Sequence, residues 1–290
     1  MTAVVWIGRV SVPGEAIVRS VRVVTSGWAP GAEDIATEID DPFAHALPAT
    51  GGEHHGDAYQ LALNLPPREG GVRAALRELV LRPPLRPGKI VCVGRNYAAH
   101  AKEMGNEIPA EPLLFTKPAS ALLADGDALP LPRGFERIDM EAEIVVVIGR
   151  TGRAFHRDHA LDHVAGYTLG NDISCRDLQK LDKQWTRAKG FDGFAPVGPW
   201  IRMHPPGTPL PSGARVQGFI DDELRQDAPL SAMIFDIPYV LAYIAACMTL
   251  EPGDLVFTGT PEGVSALAPG SRTQVGAVGF ELGRLSTPIR

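Results

Sequence analysis

The chain has 290 residues, 44% hydrophobic and 21% charged, which suits a globular protein with a real core rather than a disordered one. Its formal net charge is −6 with no clustered basic stripe, which argues against nucleic acid as a partner. Small anions stay open, because one local cation outweighs the global sign.

The three cysteines, Cys92, Cys175 and Cys247, are odd in number and far apart. Neither a disulfide framework nor a zinc knuckle fits, and a reducing cytosol does. The start, Met1 to Val10, has no charged leader or cleavage signal. The longest aliphatic run, Ile144 to Ile148, is far short of a membrane span. The expectation is a soluble, cytoplasmic protein without a membrane partner.

Glycine and proline, 31 and 26 residues, imply many turns and short elements. In chain order, the stretch His45–Gly56 reads as loop. Apolar spacing predicts helices over Val72–Leu81, Tyr97–Met104, Asp158–Val164 and Pro238–Met248. Valine- and isoleucine-rich runs predict strands over Lys89–Val93, Glu143–Ile148, Val216–Ile220 and Leu255–Thr258. Regular βαβ alternation is absent, so the class is α+β and β-rich rather than a doubly wound parallel sheet. Arg82–Gly88 holds three prolines that continue neither helix nor central strand. It divides a small N-terminal domain, 1–82, from a main domain, 83–290.

The most informative segment is Asp139-Met-Glu-Ala-Glu-Ile-Val-Val-Val-Ile-Gly149. Residues two apart in a strand share a face, so Glu141 and Glu143 project side by side. The strand beyond them is apolar on both faces, as in a strand covered on both sides. Two carboxylates at its mouth repel and lose hydration, and a hard cation removes both costs. Oxygen ligands point to Mg²⁺, Mn²⁺ or Ca²⁺ rather than Zn²⁺. A bare pair of this kind also occurs at solvated strand ends, so a third ligand is required. Asp172, after an apolar stretch, is the candidate, although Asn-Asp equally suits a helix cap or a turn.

In Gly94-Arg-Asn-Tyr-Ala-Ala-His-Ala-Lys-Glu-Met-Gly105, Asn96 is placed to cap a helix and Gly105 to end it. His100 and Glu103 then share a face, as a water-activating base with its orienting carboxylate would, or as an ordinary surface contact. His156, His159 and His163 also fall on one helical face, but no glutamate base lies between them and the setting looks solvated, so zinc is disfavoured. Lys189, before a glycine, is placed either to pair with an enolate or to sit on the surface. In Glu251–Gly263 the glycine loop offers amide N–H groups and the Thr260 hydroxyl to an anion. It lacks the lysine of a P-loop. Equally, it is a tight turn needing positive φ at Gly259 and Gly263.

Taken in order, six blocks resemble the fumarylacetoacetate hydrolase family. They are GRNYAAHAKEMG at 94–105, PLLFTKPASAL at 112–122, DMEAEIVVVIG at 139–149, GNDISCRDLQ at 170–179, QWTRAKGFDGFAPVGP at 184–199 and MTLEPGDLVFTGTPEGV at 248–264. The resemblance implies a core of mixed β-sheet, roll- or barrel-like, with short peripheral helices. It implies metal ligands at Glu141, Glu143 and Asp172, holding Mg²⁺ or Mn²⁺ with Ca²⁺ as a crystallographic stand-in. It implies a His100–Glu103 water-activating pair and a lysine at Lys189. It implies substrate contacts at Arg95, Arg176, Gln179, Lys189 and Thr260, and a homodimer acting on a small 2-oxo acid. The expected activity is hydrolysis of a C–C bond in an acylpyruvate or fumarylpyruvate. Oxaloacetate decarboxylation and isomerisation of 2-hydroxyhepta-2,4-diene-1,7-dioate are the alternatives that use the same metal, and a non-catalytic binder is a third.

Some positions depart from the family pattern. Cys175 stands where alanine is frequent and Gly193 where threonine is. Glu262 stands where many members have alanine, and is expected to put negative charge at the pocket mouth and disfavour a second substrate carboxylate. The stretch Pro269–Thr273 lacks the aspartate often found after its glycine. Residues 1–80 match nothing specific.

Overall fold

The computed structural model describes residues 3–46 and 56–290. Residues 47–55 of the loop expected at 45–56 lie outside the described residues. The N-terminal part holds strands β1 (Val4–Ser11), β2 (Arg19–Thr25) and β3 (Ile35–Glu38), helices α1 (Pro42–Ala46) and α2 (Ala58–Asn64), and short strands β4 (Arg73–Ala75) and β5 (Val80–Arg82). The middle holds β6 (Ile90–Gly94), α3 (Ala98–Glu103), β7 (Leu113–Lys117), β8 (Leu122–Leu123), β9 (Ile138–Met140), β10 (Ala142–Ile148), β11 (Val164–Asn171), β12 (Ser174–Cys175), α4 (Arg176–Leu181) and α5 (Thr186–Lys189). The last part holds β13 (Ala195–Met203), β14 (Arg215–Ile220), β15 (Glu223–Pro229), α6 (Ile237–Cys247), β16 (Leu255–Phe257), β17 (Ser265–Ala266), β18 (Arg272–Val278) and β19 (Arg284–Pro288).

The architecture is the β-rich α+β class read from the sequence. A 12-stranded mixed sheet runs β4-β3-β2-β1-β13-β11-β10-β16-β6-β7, with β5 beside β1 and β8 beside β13. Its pairs are antiparallel except β16 with β6 and β8 with β13. A three-stranded sheet, β12-β9-β17, and a four-stranded sheet, β15-β14-β18-β19, complete it. The proline-rich stretch after residue 82 connects β5 to β6, and the main sheet runs across it through the β1–β13 pair.

The double-sided apolar pattern of β10 is realised in the core. Ile144, Val146 and Ile148 join one buried cluster with Val240, Leu241 and Ile244 of α6. Val145 and Val147 join a second with Ile90, Cys92 and Phe257. Helix α6 starts where Asp236 accepts from the Tyr239 amide and Pro238 occupies the first turn, where a missing N–H costs nothing.

Two helical expectations are corrected. Val72–Leu81 forms β4, a 3₁₀ turn at Leu76–Glu78 and β5 instead. β4 pairs with β3, and β5 pairs with β1. Edges of the sheet that need partners outweigh a weak local helical pattern. Asp158–Val164 is a 3₁₀ turn, Arg157–His163, that runs into β11.

Candidate metal centre and active site

The β10–β11 register builds the acidic cluster. Ala142 pairs with Asn171, so Glu141 and Asp172 stand opposite each other one step outside the ladder. The Asp172 amide donates to the Glu141 carbonyl at 2.9 Å, and the Glu141 amide donates to Asn171 Oδ1 at 2.9 Å. Glu143 lies two residues along on the face that Glu141 occupies. Carboxylate oxygens of Glu141, Glu143 and Asp172 all fall within 4.8 Å of one another, and all three residues are buried.

Buried cations hold this charge. Lys189 Nζ donates to Glu141 Oε2 and Asp172 Oδ2, each at 2.7 Å. Arg176 donates to Glu141 Oε1 at 2.6 Å, Asp139 Oδ2 at 2.8 Å and Gln179 Oε1 at 2.7 Å. Burial pushes the Glu141 carboxyl up, but Lys189, Arg176 and His100 more than offset it and hold it below the ordinary range. For the Lys189 ammonium, burial opposes the charge while Asp172 and Glu141 favour it, and the balance lies above the ordinary lysine value.

Glu143 differs. Its hydrogen-bond donor is the Gly259 amide, 2.7 Å from Oε2. Burial and the neighbouring Asp172 and Glu141 charges push its carboxyl well above the ordinary value. A buried acid in that position calls for a proton or a cation. Asp172 Oδ1 gives a second sign. Lys117 Nζ sits 2.7 Å from it, but the ammonium's three donors go to the carbonyls of Ile173, Lys189 and Phe194. Asp172 Oδ1 is left buried without a hydrogen bond. Three close carboxylates, one of them poorly compensated, fit a hard divalent cation.

The His–Glu pair forms as expected. His100 Nδ1 lies 3.3 Å from Glu103 Oε2, and Glu103 Oε1 accepts from the Gly263 amide at 3.0 Å. Helix α3 ends at Gly105, φ +68°, as expected. Asn96 does not cap it; that place is Tyr97. The Asn96 side chain instead cross-links to Phe235 N and O and to Thr258 O, tying the start of α3 to two distant segments.

The glycine loop adopts the positive φ expected, +99° at Gly259 and +90° at Gly263. The anions its amides hold are the protein's own, Glu143 and Glu103. The Thr260 hydroxyl is likewise engaged, donating to Ala142 O and accepting from Gln226 Nε2.

A cavity of about 230 Å³ gathers Arg95, His100, Glu141, Glu143, Asp172, Arg176, Gln179, Lys189 and Thr260 in one wall, with Met104, Asn106, Lys180 and Trp185. Glu103 stands behind His100. Glu262 is exposed and does not line the cavity, so the negative charge expected at the mouth is not part of its wall. Gly193 has φ +81°, and an added Cβ would stand 2.8 Å from Leu129 Cδ1, so this backbone demands the glycine. His156 and His159 are exposed beside Asp158 and Asp162, while His163 stacks on Phe155. Among the described residues the acidic triad is the group able to hold a metal.

Sequence reasoning missed Lys117, Asn171 and Gln226. Lys117 closes an apolar strand before a proline, and a lysine there was a signal. Gln226 takes the Ala142 amide on Oε1 and gives Nε2 to Thr260 and Pro261. It comes from β15, in another sheet, and nothing local marks it.

The C-terminal family profile of fumarylacetoacetate (FAA) hydrolase matches residues 89–290. Over 200 residues the chain is 42% identical to a mitochondrial oxaloacetate decarboxylase of Dictyostelium discoideum, covering 67% of this chain and 90% of that one. A crystal structure of 2-hydroxyhepta-2,4-diene-1,7-dioate isomerase from Mycobacterium marinum superposes with a TM-score of 0.77 at 33% identity, covering 98% of this chain and 97% of that one. Fumarylpyruvate hydrolase from Pseudomonas aeruginosa, solved with Mn²⁺ and pyruvate, gives a TM-score of 0.63 at 37% identity over 71% of this chain and 90% of that one. The profile match over residues 89–290, with identities of 33–42% to these relatives, makes this chain a member of the fumarylacetoacetate hydrolase family.

Proposed function

We propose that the chain is a divalent-metal-dependent hydrolase that cleaves a C–C bond in 1,3-dicarbonyl 2-oxo acids of the acylpyruvate and fumarylpyruvate type. The observation that carries this reading is the His100–Glu103 pair at 3.3 Å, opening on the same cavity as the acidic triad. Decarboxylation and isomerisation need no nucleophilic water.

Glu141, Glu143 and Asp172 would hold Mg²⁺ or Mn²⁺, which when bound supplies a Lewis acid for the oxygens of a 2-oxo acid. His100 presents Nε2 to water, because Nδ1 faces Glu103, and takes the proton as hydroxide adds to the distal carbonyl. The C–C bond then breaks and its electron pair becomes the enolate of the 2-oxo acid. Lys189 places a fixed positive charge beside that enolate. Gln179, whose Oε1 is taken by Arg176, turns its amide donors to the substrate. The imidazolium of His100 returns its proton to the enolate carbon, leaving a carboxylic acid and the 2-oxo acid. A homodimer belongs to the same reading, and sedimentation velocity tests it.

The expected result with Mg²⁺ is acetylpyruvate and fumarylpyruvate cleavage that His100→Ala abolishes and Glu141→Ala abolishes together with calorimetric Mg²⁺ binding. An unchanged rate in His100→Ala refutes the assigned base. The similarity to the isomerase along nearly the whole chain favours a second reading, isomerisation of a 2-hydroxydienedioate at the same metal. That reading predicts conversion of a 2-hydroxydienedioate without C–C cleavage products, which product analysis separates from hydrolysis.

A further inference from the structure

Asn96 is buried, and both polar atoms of its side chain are used. Oδ1 accepts from the Phe235 amide at 2.9 Å, and Nδ2 donates to Phe235 O at 2.9 Å. The Asn96 carbonyl accepts from the Ile234 amide at 2.8 Å, and Tyr97 bridges to Met233. These contacts staple the root of α3 to the segment that leads into α6. The remaining bond, from Nδ2 to Thr258 O at 2.7 Å, plays no part in that staple.

That bond reaches the acidic cluster through one peptide group. Thr258 C=O and Gly259 N–H belong to the same planar unit. Asn96 Nδ2 holds its oxygen, and Glu143 Oε2 accepts from its N–H at 2.7 Å. Each bond polarises the amide in the sense that strengthens the other. Turning this peptide would release Glu143, and the bond to Asn96 opposes the turn. Packing closes the same space: at Gly259, φ +99°, a Cβ would stand 2.6 Å from Asn96 Cβ. The loop runs on to Gly263, whose amide holds Glu103. One loop thus carries the amide donors for Glu143 and for the carboxylate behind His100, and Asn96 ties it to the helix that bears His100. Asn96 itself does not line the cavity.

We propose that Asn96 is a positioning residue that acts on Glu143 through the peptide joining Thr258 to Gly259, and so sets the affinity of the cation site. This rests on the metal reading above.

The test is read without turnover. In metal-free protein labelled with ¹⁵N-glycine, the Gly259 amide proton should resonate downfield, as a donor to a carboxylate does. In Asn96→Ala it should move upfield, and calorimetric Mg²⁺ affinity should fall about tenfold. Val240→Ala, in the core beneath α6, controls for lost stability: its urea midpoint should fall while the Gly259 resonance and Mg²⁺ affinity stay at the wild-type values. Asn96→Ala with an unmoved resonance or wild-type affinity, or Val240→Ala with an equal loss of affinity, would overturn the proposal. The wild type gives a second measurement that needs no folded variant. Mg²⁺ titration should move the Asn96 side-chain amide and the Gly259 amide with one midpoint, and an Asn96 signal that stays still while Gly259 moves would also overturn it. The metal reading fails separately, by a wild type that binds no Mg²⁺ although its Gly259 resonance still responds to Asn96→Ala.

Discussion

Lys117→Met probes how the cavity is held together. Methionine keeps the length of the side chain and removes the ammonium. Lys117 is 3% exposed, and its Nζ donates to Ile173 O at 3.2 Å, Lys189 O at 2.6 Å and Phe194 O at 2.7 Å, beside Asp172 Oδ1 at 2.7 Å. The substitution strands the Ile173 and Lys189 carbonyls, while Phe194 O keeps the Ile173 amide at 3.1 Å, and it takes a countercharge from a buried carboxylate. An unsatisfied buried acceptor costs about 1–3 kcal/mol, and breaking a buried ion pair about 3–5 kcal/mol. Because one nitrogen makes all these contacts, the terms overlap and the expected loss is about 3–5 kcal/mol. That is a large share of a typical total of about 5–15 kcal/mol. Two of the bonded carbonyls belong to Lys189 itself and to Ile173, which follows Asp172, so Mg²⁺ affinity should fall as well. Urea unfolding by fluorescence and circular dichroism, with Mg²⁺ titration by calorimetry, measures both. A denaturation midpoint and a Mg²⁺ affinity equal to wild type would refute the view that this one ammonium braces the site.

Three further outcomes are expected. Glu143→Gln keeps an acceptor for the Gly259 amide but removes a carboxylate whose ionised form burial, Asp172 and Glu141 disfavour; without metal it should melt above wild type, and Mg²⁺ should no longer raise its melting temperature. Glu103→Gln keeps an acceptor for the Gly263 amide but removes the charge beside His100, so hydrolytic kcat should fall by about 10²-fold with the urea midpoint unchanged. Burial pulls the imidazoles of His163 and His204 below the ordinary value. The unfolded chain therefore binds protons more readily, so their contribution to stability is complete above the ordinary imidazole value and is lost as pH falls through the lowered folded values. Melting curves from pH 7.5 downward should show less loss of stability in His163→Gln and His204→Gln than in wild type.

Much of the site was legible along the chain because its chemistry is local in sequence. The spacing of Glu141 and Glu143 within an apolar strand already placed them on one face. The spacing of His100 and Glu103 on a short helix already paired them. The glycines at 259 and 263 already announced a turn. Those are one-dimensional consequences of strand, helix and turn geometry. The helix expected over Val72–Leu81 failed because its residues are spent on pairing with β1 and β3, a demand set by strands distant in the chain.

What only the tertiary structure decided is what those acids meet. The β10–β11 register brings Asp172 to Glu141. Strand β7 and helix α5 deliver Lys117 and Lys189 beside them, and the β14–β15 hairpin sends in Gln226. The cavity wall, with Arg95 and Lys180 in it and Glu262 outside, is likewise a result of packing. Residue type and spacing determined which groups this protein has to work with. Long-range backbone pairing and the need to satisfy buried charge determined which of them share one space, since burial makes each group's energy depend on neighbours that the linear order does not name.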